Sequence, residues 1–194
     1  SDRGRWLCHR PRPREAADMN PEPIAATSAA VAPADFALAM SALASGVVLV
    51  TCRVGGRPWG LTVTAFASVS ADPPTVLVSL GSETASARAI AATGAFGVSI
   101  LSRDQVHVAE HGAAPGAPKF LDSLVEPRDR GSASPAIAEA LAHLDCQVID
   151  AVDAADHTVF FAQVHAVRGG RSGEPLLYNR RSYGSFIERS LRCI

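Results

Sequence analysis

Charge and aromatic rings are both scarce in this chain. Charged residues make up 19% and aromatic residues 6% of its 194 positions, and the formal net charge is -1. Without a basic field there is nothing to recruit nucleic acid, and there is no acidic tail. No apolar run approaches the roughly 20 residues a helix needs to span a bilayer, so no membrane partner is expected. The four cysteines, Cys8, Cys52, Cys146 and Cys193, form no CxxC pair. That spacing argues against a disulfide framework or a zinc knuckle and for reduced, mostly buried thiols in a cytoplasmic protein. There is no G-x-S-x-G elbow, no P-loop and no G-x-G-x-x-G after a strand.

What remains is a globular composition, 47% hydrophobic, in a length that suits one domain. Residues 1–33 are read as an extended segment outside the fold. Its first part, Ser1 to Pro23, is rich in Arg and Pro, contains Met19 and lacks the apolar stretch of a secretory signal. It is expected to be either sequence upstream of the natural start or a basic arm that docks on a partner subunit. The domain proper is expected over 34–190.

Phe36, Met40 and Leu43 fall at i, i+4 and i+7, which predicts a short amphipathic helix stopped by Ser45-Gly46. Val47 to Val54 is a β-branched run and reads as a strand, and Gly55 to Pro58 reads as a turn. Leu61 to Ser70 alternates until Asp72-Pro73-Pro74 ends it, and Thr75 to Leu80 is the next strand. Ser82 or Thr84 is placed to cap a helix closed by Gly94, followed by a strand from Phe96 to Leu101. Ser102 is a plausible cap for a third helix. Residues 111–134 are rich in Gly, Pro and charge, around Lys119-Phe120-Leu121, and predict a functional loop or lid. Leu144 to Ala151 and Thr158 to Val167 read as long strands, and Pro175 to Tyr178 as the last. At least six strands against three short helices, without regular alternation, predict a mainly β, antiparallel, Greek-key-like barrel.

The segment Gly60-Leu61-Thr62-Val63-Thr64-Ala65-Phe66-Ala67-Ser68-Val69-Ser70-Ala71-Asp72-Pro73-Pro74 resembles the signature of the flavin reductase-like family. Ala44 to Thr51 is similar to that family's SGV-x-VVT opening strand. Ser82-Glu83-Thr84-Ala85-Ser86 resembles its hydroxyl-rich turn before a helix, and Phe96 to Leu101 its F-x-V-x-x-L strand. Asp156-His157 resembles the second half of its Gly-Asp-His motif, with Ala155 where Gly is usual. Pro175 to Tyr178 with Tyr183 resembles its C-terminal end. The likeness runs in order from about Asp35 to Phe186.

The resemblance implies a split β-barrel homodimer that uses NADH or NADPH to reduce FMN or FAD. The reduced flavin would pass to a partner oxygenase or halogenase. Strands with small residues let backbone approach a flat ring, so Thr62, Val63, Thr64, Ala65, Ser68, Ser79 and Leu80 are expected to line the flavin. Ser82, Thr84, Ser86 and Arg88 are expected to hold its phosphate end, because a helix start offers free N–H groups and a favourable dipole. His157, oriented by Asp156, is the candidate catalytic residue. With Lys119, Phe120 and Tyr183 it is placed on the nicotinamide side. The stretch His107-Val108-Ala109-Glu110-His111 has the H-x-x-E-H spacing of some zinc sites, but no third ligand is near in sequence and no metal is expected. Two rival readings are a split-barrel oxidase that keeps its FMN, of the pyridoxamine-phosphate oxidase-like type, and a non-enzymatic flavin-binding module.

Overall fold

The computed structural model describes residues 31–126 and 133–186. Most of the expected N-terminal extension therefore lies outside the described residues. Among the described residues three α-helices occur, α1 (Pro33–Ser41), α2 (Ala85–Thr93) and α3 (Val106–Ala113). The strands are β1 (Ser45–Gly46), β2 (Val48–Val54), β3 (Arg57–Val63), β4 (Phe66–Ala71), β5 (Pro74–Gly81), β6 (Ala95–Ile100), β7 (Ala142–Ala154), β8 (His157–Gly169), β9 (Leu176–Asn179) and β10 (Ser182–Ser185). The run predicted from Leu61 to Ser70 is broken at Thr64-Ala65 into two strands. The gap left between the two predicted long strands tightens to a two-residue turn, Ala155-Asp156, because Ala154 pairs with His157.

Seven strands form one antiparallel sheet in the order β3-β2-β6-β7-β8-β5-β4. Its two outermost strands, β3 and β4, are consecutive in the chain and joined only by Thr64 and Ala65. Laid flat, six interstrand steps would separate them by roughly 29 Å, at about 4.8 Å per step. Three Cα–Cα steps reach about 11 Å at most. The sheet therefore has to roll into a barrel, and no ladder pairs β3 with β4 among the described residues. The seam between them stays open, which makes the barrel split. Bulges at Ser68/Ser70, Asp145/Cys146 and Val148/Asp150 supply local bending.

The barrel interior holds Val48, Val50, Val76, Val78, Leu80, Phe96, Val98, Phe160 and Ala162, with Ala87 and Ile90 of α2 packed over them. Each large side chain removed from water in this way contributes about 1.5–3 kcal/mol. The other face of β2 is buried as well. Val47 and Leu49 pack with Val108 and Ala109 of α3, Leu121 and Leu176. A strand covered on both sides explains the unbroken apolar run of Val47 to Val50.

Two expectations need correction. The residues of α1 that share the predicted apolar face, Phe36 and Met40, are exposed, as is Leu43 beyond its end. Periodicity tells which side chains share a face, not what covers it. The lid expected at 111–134 is, over its described part, a strut. Gly60 N donates to Lys119 O (3.1 Å), Leu121 N donates to Pro58 O (3.0 Å), and Leu121 is fully buried.

A polar chain that sequence reading did not find pins residues 133–137 to the outer face of β6 and β7. Ile137 N–H donates to Ser99 Oγ (3.1 Å), and Ser99 Oγ lies 2.9 Å from His143 Nδ1. His143 Nε2 lies 2.9 Å from Ser134 Oγ, and Ser134 donates to Asp145 through its hydroxyl and its N–H. One proton per hydroxyl then fixes the tautomer: His143 accepts at Nδ1 and donates from Nε2. Gly97 makes room, because a Cβ there would strike Ser134, Thr51 and His143. Burial pushes the His143 imidazole below its ordinary value, only partly offset by the Asp145 charge. Burial pushes the Asp145 carboxyl up, but the bonds from Ser134 and from Ala133 N–H outweigh it and hold it below the usual range.

A histidine depressed in the folded state takes up protons more readily when unfolded. Stability should therefore fall as pH drops from about 6.5 toward the folded value. Urea unfolding of the native chain at several pH values should show this slope. In His143→Leu the slope should flatten, with about 1–3 kcal/mol lost at neutral pH as Ser134 and Ser99 lose a buried partner. An unchanged slope would show that another group titrates.

Candidate functional site

The open seam positions the candidate residues. Thr64 and Ala65 are exposed at the break, and Ser79 N donates to Ala65 O (3.0 Å), so the break lies beside the outer part of β5. Along β5, Val76, Val78 and Leu80 point into the barrel, while Leu77, Ser79 and Gly81 are half-buried on the other side. Ala67 on β4, paired with Leu77, is exposed next to them, while Ser68 pairs with Val76 and is exposed on the other side of the strand. Thr64, Ala65, Ala67 and Ser79 thus make a trough of small side chains and backbone, bordered by Leu77 and, on β8, by Val159 and Phe161. At about 3.3 Å per residue, Ser82 lies roughly 10 Å along the chain from Ser79.

At the end of β5 the chain enters α2. Thr84 is its N-cap: the hydroxyl accepts from Ala87 N (3.1 Å) and donates to Gly81 O (2.8 Å). The N–H groups of Ala85 and Ser86, in the first turn, have no partner within the helix. Gly81 pairs with His157, and Ser82 N donates to Asp156 O (3.0 Å), which ties the helix start to the β7–β8 turn. His157 Nδ1 lies 2.7 Å from Asp156 Oδ1. The His157 bond, with a backbone bond and the imidazole's charge, holds the Asp156 carboxyl below the usual range. Both side chains are open to water, so this pair orients the ring rather than stabilising the fold.

The predicted residues thus divide. Thr64, Ala65 and Ser79 are brought together with Ser82, Thr84, Asp156 and His157, whereas Ser68 pairs with Val76 and lies on the other face of β4. Val63 and Leu80 are buried in the barrel and can offer the trough only backbone. Ser86 is fully buried, N–H and hydroxyl alike, so the half-buried Ala85 presents the accessible N–H at the helix start. Its side chain lies by Cys52, whose thiol burial pushes up to about 11. Arg88 is exposed and pairs with Glu83 at 3.2 Å. Thr62 donates to Ala109 O (2.7 Å) and faces α3.

Lys119, Phe120 and Tyr183 sit on other elements. The Phe120 ring stands edge-on to Trp59 (4.9 Å) beneath the Arg57 guanidinium (3.8 Å). Lys119 donates to Ala114 O, and loss of hydration lowers its ammonium. Tyr183 packs on Tyr178 at 5.3 Å, and burial, Tyr178 and Glu110 raise its hydroxyl. No hydrogen bond or ring contact joins these three to His157 among the described residues. His111, from the H-x-x-E-H stretch, bonds Phe120 O through Nε2 (2.9 Å). Sequence reading missed Asp153 and Thr158, a cross-strand pair beside the trough whose hydroxyl contacts Ser82. A separate cavity of about 330 Å³, lined by Cys52, Phe96, Ser134 and Asp145 among others, contains none of the predicted residues.

This arrangement fits a flavin. A flat heterocycle needs a floor without large side chains, and its phosphate needs N–H donors at one end. The trough supplies the first and the α2 start the second.

Comparison with known proteins agrees. The flavin reductase like domain matches residues 40–186. The reductase component of 4-nitrophenol 4-monooxygenase/4-nitrocatechol 2-monooxygenase from Rhodococcus opacus is 39% identical over 79% of this chain and 81% of its own length. A flavin reductase (NADH) from Kitasatospora aureofaciens is 38% identical over 76% of this chain and 78% of its own. Among solved structures, the flavin reductase component of a bacterial two-component tryptophan halogenase superposes with a TM-score of 0.72. It is 30% identical, covering 80% of this chain and 99% of that one.

The turn that presents His157 carries a cost. Ala155 has φ of 55°, in the left-handed region where a Cβ is disfavoured. Two-residue hairpin turns of this kind usually place Gly there. Ala155→Gly should therefore stabilise the protein by about 0.5–1 kcal/mol in urea unfolding. A loss of stability would mean that the turn relaxes to another geometry.

Proposed function

This chain belongs to the flavin reductase like domain family, and from that premise we infer that it transfers a hydride from NAD(P)H to a loosely held FMN or FAD. The reduced flavin then serves a partner oxygenase or halogenase. The observation that carries this reading is the meeting of the open seam, the outer face of β5 and the α2 start beside His157.

Flavin, when bound, supplies the hydride acceptor at its ring and nicotinamide the donor. The chain's task is placement. Thr64, Ala65 and Ser79 offer a floor that a ring can approach closely. The Ala85 N–H, with Arg88, would meet the phosphate end. His157, held through Nδ1 by Asp156, presents Nε2 at the edge where nicotinamide would stack. It needs to move no proton during the transfer and acts by orienting the donor.

We propose a homodimer in which a second copy covers the exposed apolar side chains Val69 of β4 and Ile149 and Val152 of β7. Lys119, Phe120 and Tyr183 remain assigned to the nicotinamide side, reached from a different element than His157. No helix among the described residues is long and apolar enough to cross a membrane. We place the protein in the cytoplasm, where NADH is available and the buried thiols of Cys52 and Cys146 stay reduced.

NADH oxidation by the purified chain should require added FMN or FAD, and reduced flavin should be released. Activity without added flavin, or tight retention of reduced flavin, would count against a diffusible product. His157→Ala should lower kcat/KM for NADH about tenfold, the effect of losing one orienting hydrogen bond, with little change in flavin affinity. Equal losses in both would place His157 on the flavin instead.

A further inference from the structure

The direction of the hydroxyl protons around Ser82 carries an inference that rests on the flavin reading above. A hydroxyl has one proton to give. Thr158 gives its proton to Asp153 Oδ1 (2.9 Å), since a carboxylate can only accept. Ser82 Oγ stands 3.0 Å from Thr158 Oγ1, so the proton in that bond comes from Ser82. Ser82 then has lone pairs left and no proton. Thr84 has also spent its proton, on Gly81 O, and the Ser86 hydroxyl is buried.

None of these three hydroxyls can donate to a phosphate. A phosphate brought to Ser82 would meet lone pairs with lone pairs. The phosphate end would therefore be met at this helix start by N–H and guanidinium groups, as the helix-start reading of Ser82, Thr84, Ser86 and Arg88 expects, and not by hydroxyls. The groups open to it are the Ala85 N–H and the Arg88 guanidinium.

We propose that Ser82 is an acceptor for a hydroxyl of the flavin's ribityl chain, with Thr158 and Asp153 as positioning residues that fix its polarity. Position supports the assignment. Along the chain the half-buried Ser82 lies between Ser79, where the trough suits the ring, and the Ala85 N–H, which suits the phosphate. What passes between them is the sugar-alcohol chain, and its hydroxyls are donors. Asp153 and Thr158 face each other across the β7–β8 hairpin, which keeps the relay in register with the α2 start. Recognition of the flavin would then rest on its polyol as well as on its phosphate.

Equilibrium binding of oxidised lumiflavin, riboflavin and FMN, followed by quenching of flavin fluorescence, tests this. Ser82→Ala should weaken riboflavin and FMN by the same factor, about three- to tenfold, and leave lumiflavin, which has no ribityl chain, unchanged. Thr158→Val should do the same, and Thr158→Ser, which keeps the hydroxyl, should restore binding. A loss confined to FMN would put Ser82 on the phosphate and overturn the proposal. An equal loss for lumiflavin would put it on the ring, and no change in riboflavin would remove it from the site; each overturns the proposal too. Should Thr158→Val fail to fold, the half-buried Ser82→Ala and the conservative Thr158→Ser still decide. Failure of the native chain to bind any flavin would sink the reductase reading as well, whereas flavin binding indifferent to Ser82 would sink this proposal alone.

Discussion

A two-residue link between the opposite edges of a seven-stranded sheet governs this molecule. Thr64 and Ala65 cannot reach across a flat sheet, so the sheet must close, and because β3 and β4 do not pair, it closes incompletely. The trough is a direct result. An open seam leaves the edge of β4 and the outer residues of β5 accessible, where a paired barrel would bury or ladder them. The same closure brings the start of α2, at the end of β5, beside the β7–β8 turn through the Gly81–His157 pair. Segments distant in the chain thus share one surface without any side chain being required to hold them there.

Much of this was legible because it depends on short-range chemistry. Proline at Pro73 and Pro74 and glycine at Gly55, Gly56 and Gly94 punctuate the chain where the elements end. Thr84 caps α2 because its hydroxyl reaches the next turn. The small residues Thr64, Ala65, Ala67 and Ser68 mark the exposed stretch at the seam. Its break into two strands was not legible, since alternation continues through Thr64 and Ala65 and only sheet order shows that a corner is needed. The burial of α1 was misjudged for a related reason, since a helical stripe names a face but not its partner.

The polar networks were illegible for a different reason. Ser99, Ser134, His143 and Asp145 come from three parts of the chain, and Thr51 bonds Pro135 O from 84 residues away. His143 and Asp145 do alternate on β7 and so share a face, but nothing local says that the face is covered by residues 133–137. Likewise, hydroxyl-rich composition at Ser82 to Ser86 marks a helix start but does not say which way its hydroxyls point their protons. Composition counts hydroxyls; it does not count free protons. Each hydroxyl gives one proton, and at this helix start the cap and the Thr158 contact have already taken those of Thr84 and Ser82.

That distinction bears on why the site can let its flavin go. A hydroxyl cluster aimed at a phosphate would add charge-assisted bonds, which are about twice as strong as neutral ones. On the proposed reading the charged group would meet the Ala85 N–H and an arginine that is exposed and shared with Glu83. The middle of the ligand would meet a neutral acceptor, and the ring would lie on an open trough. Ala85 and Ser82 are half-buried and Thr64, Ala65 and Arg88 exposed, so water would compete with each contact. A reductase that must hand its product to another protein gains from this arrangement. Placement for hydride transfer needs geometry more than affinity, and small side chains on a rolled sheet supply geometry while leaving the bound molecule partly in solvent.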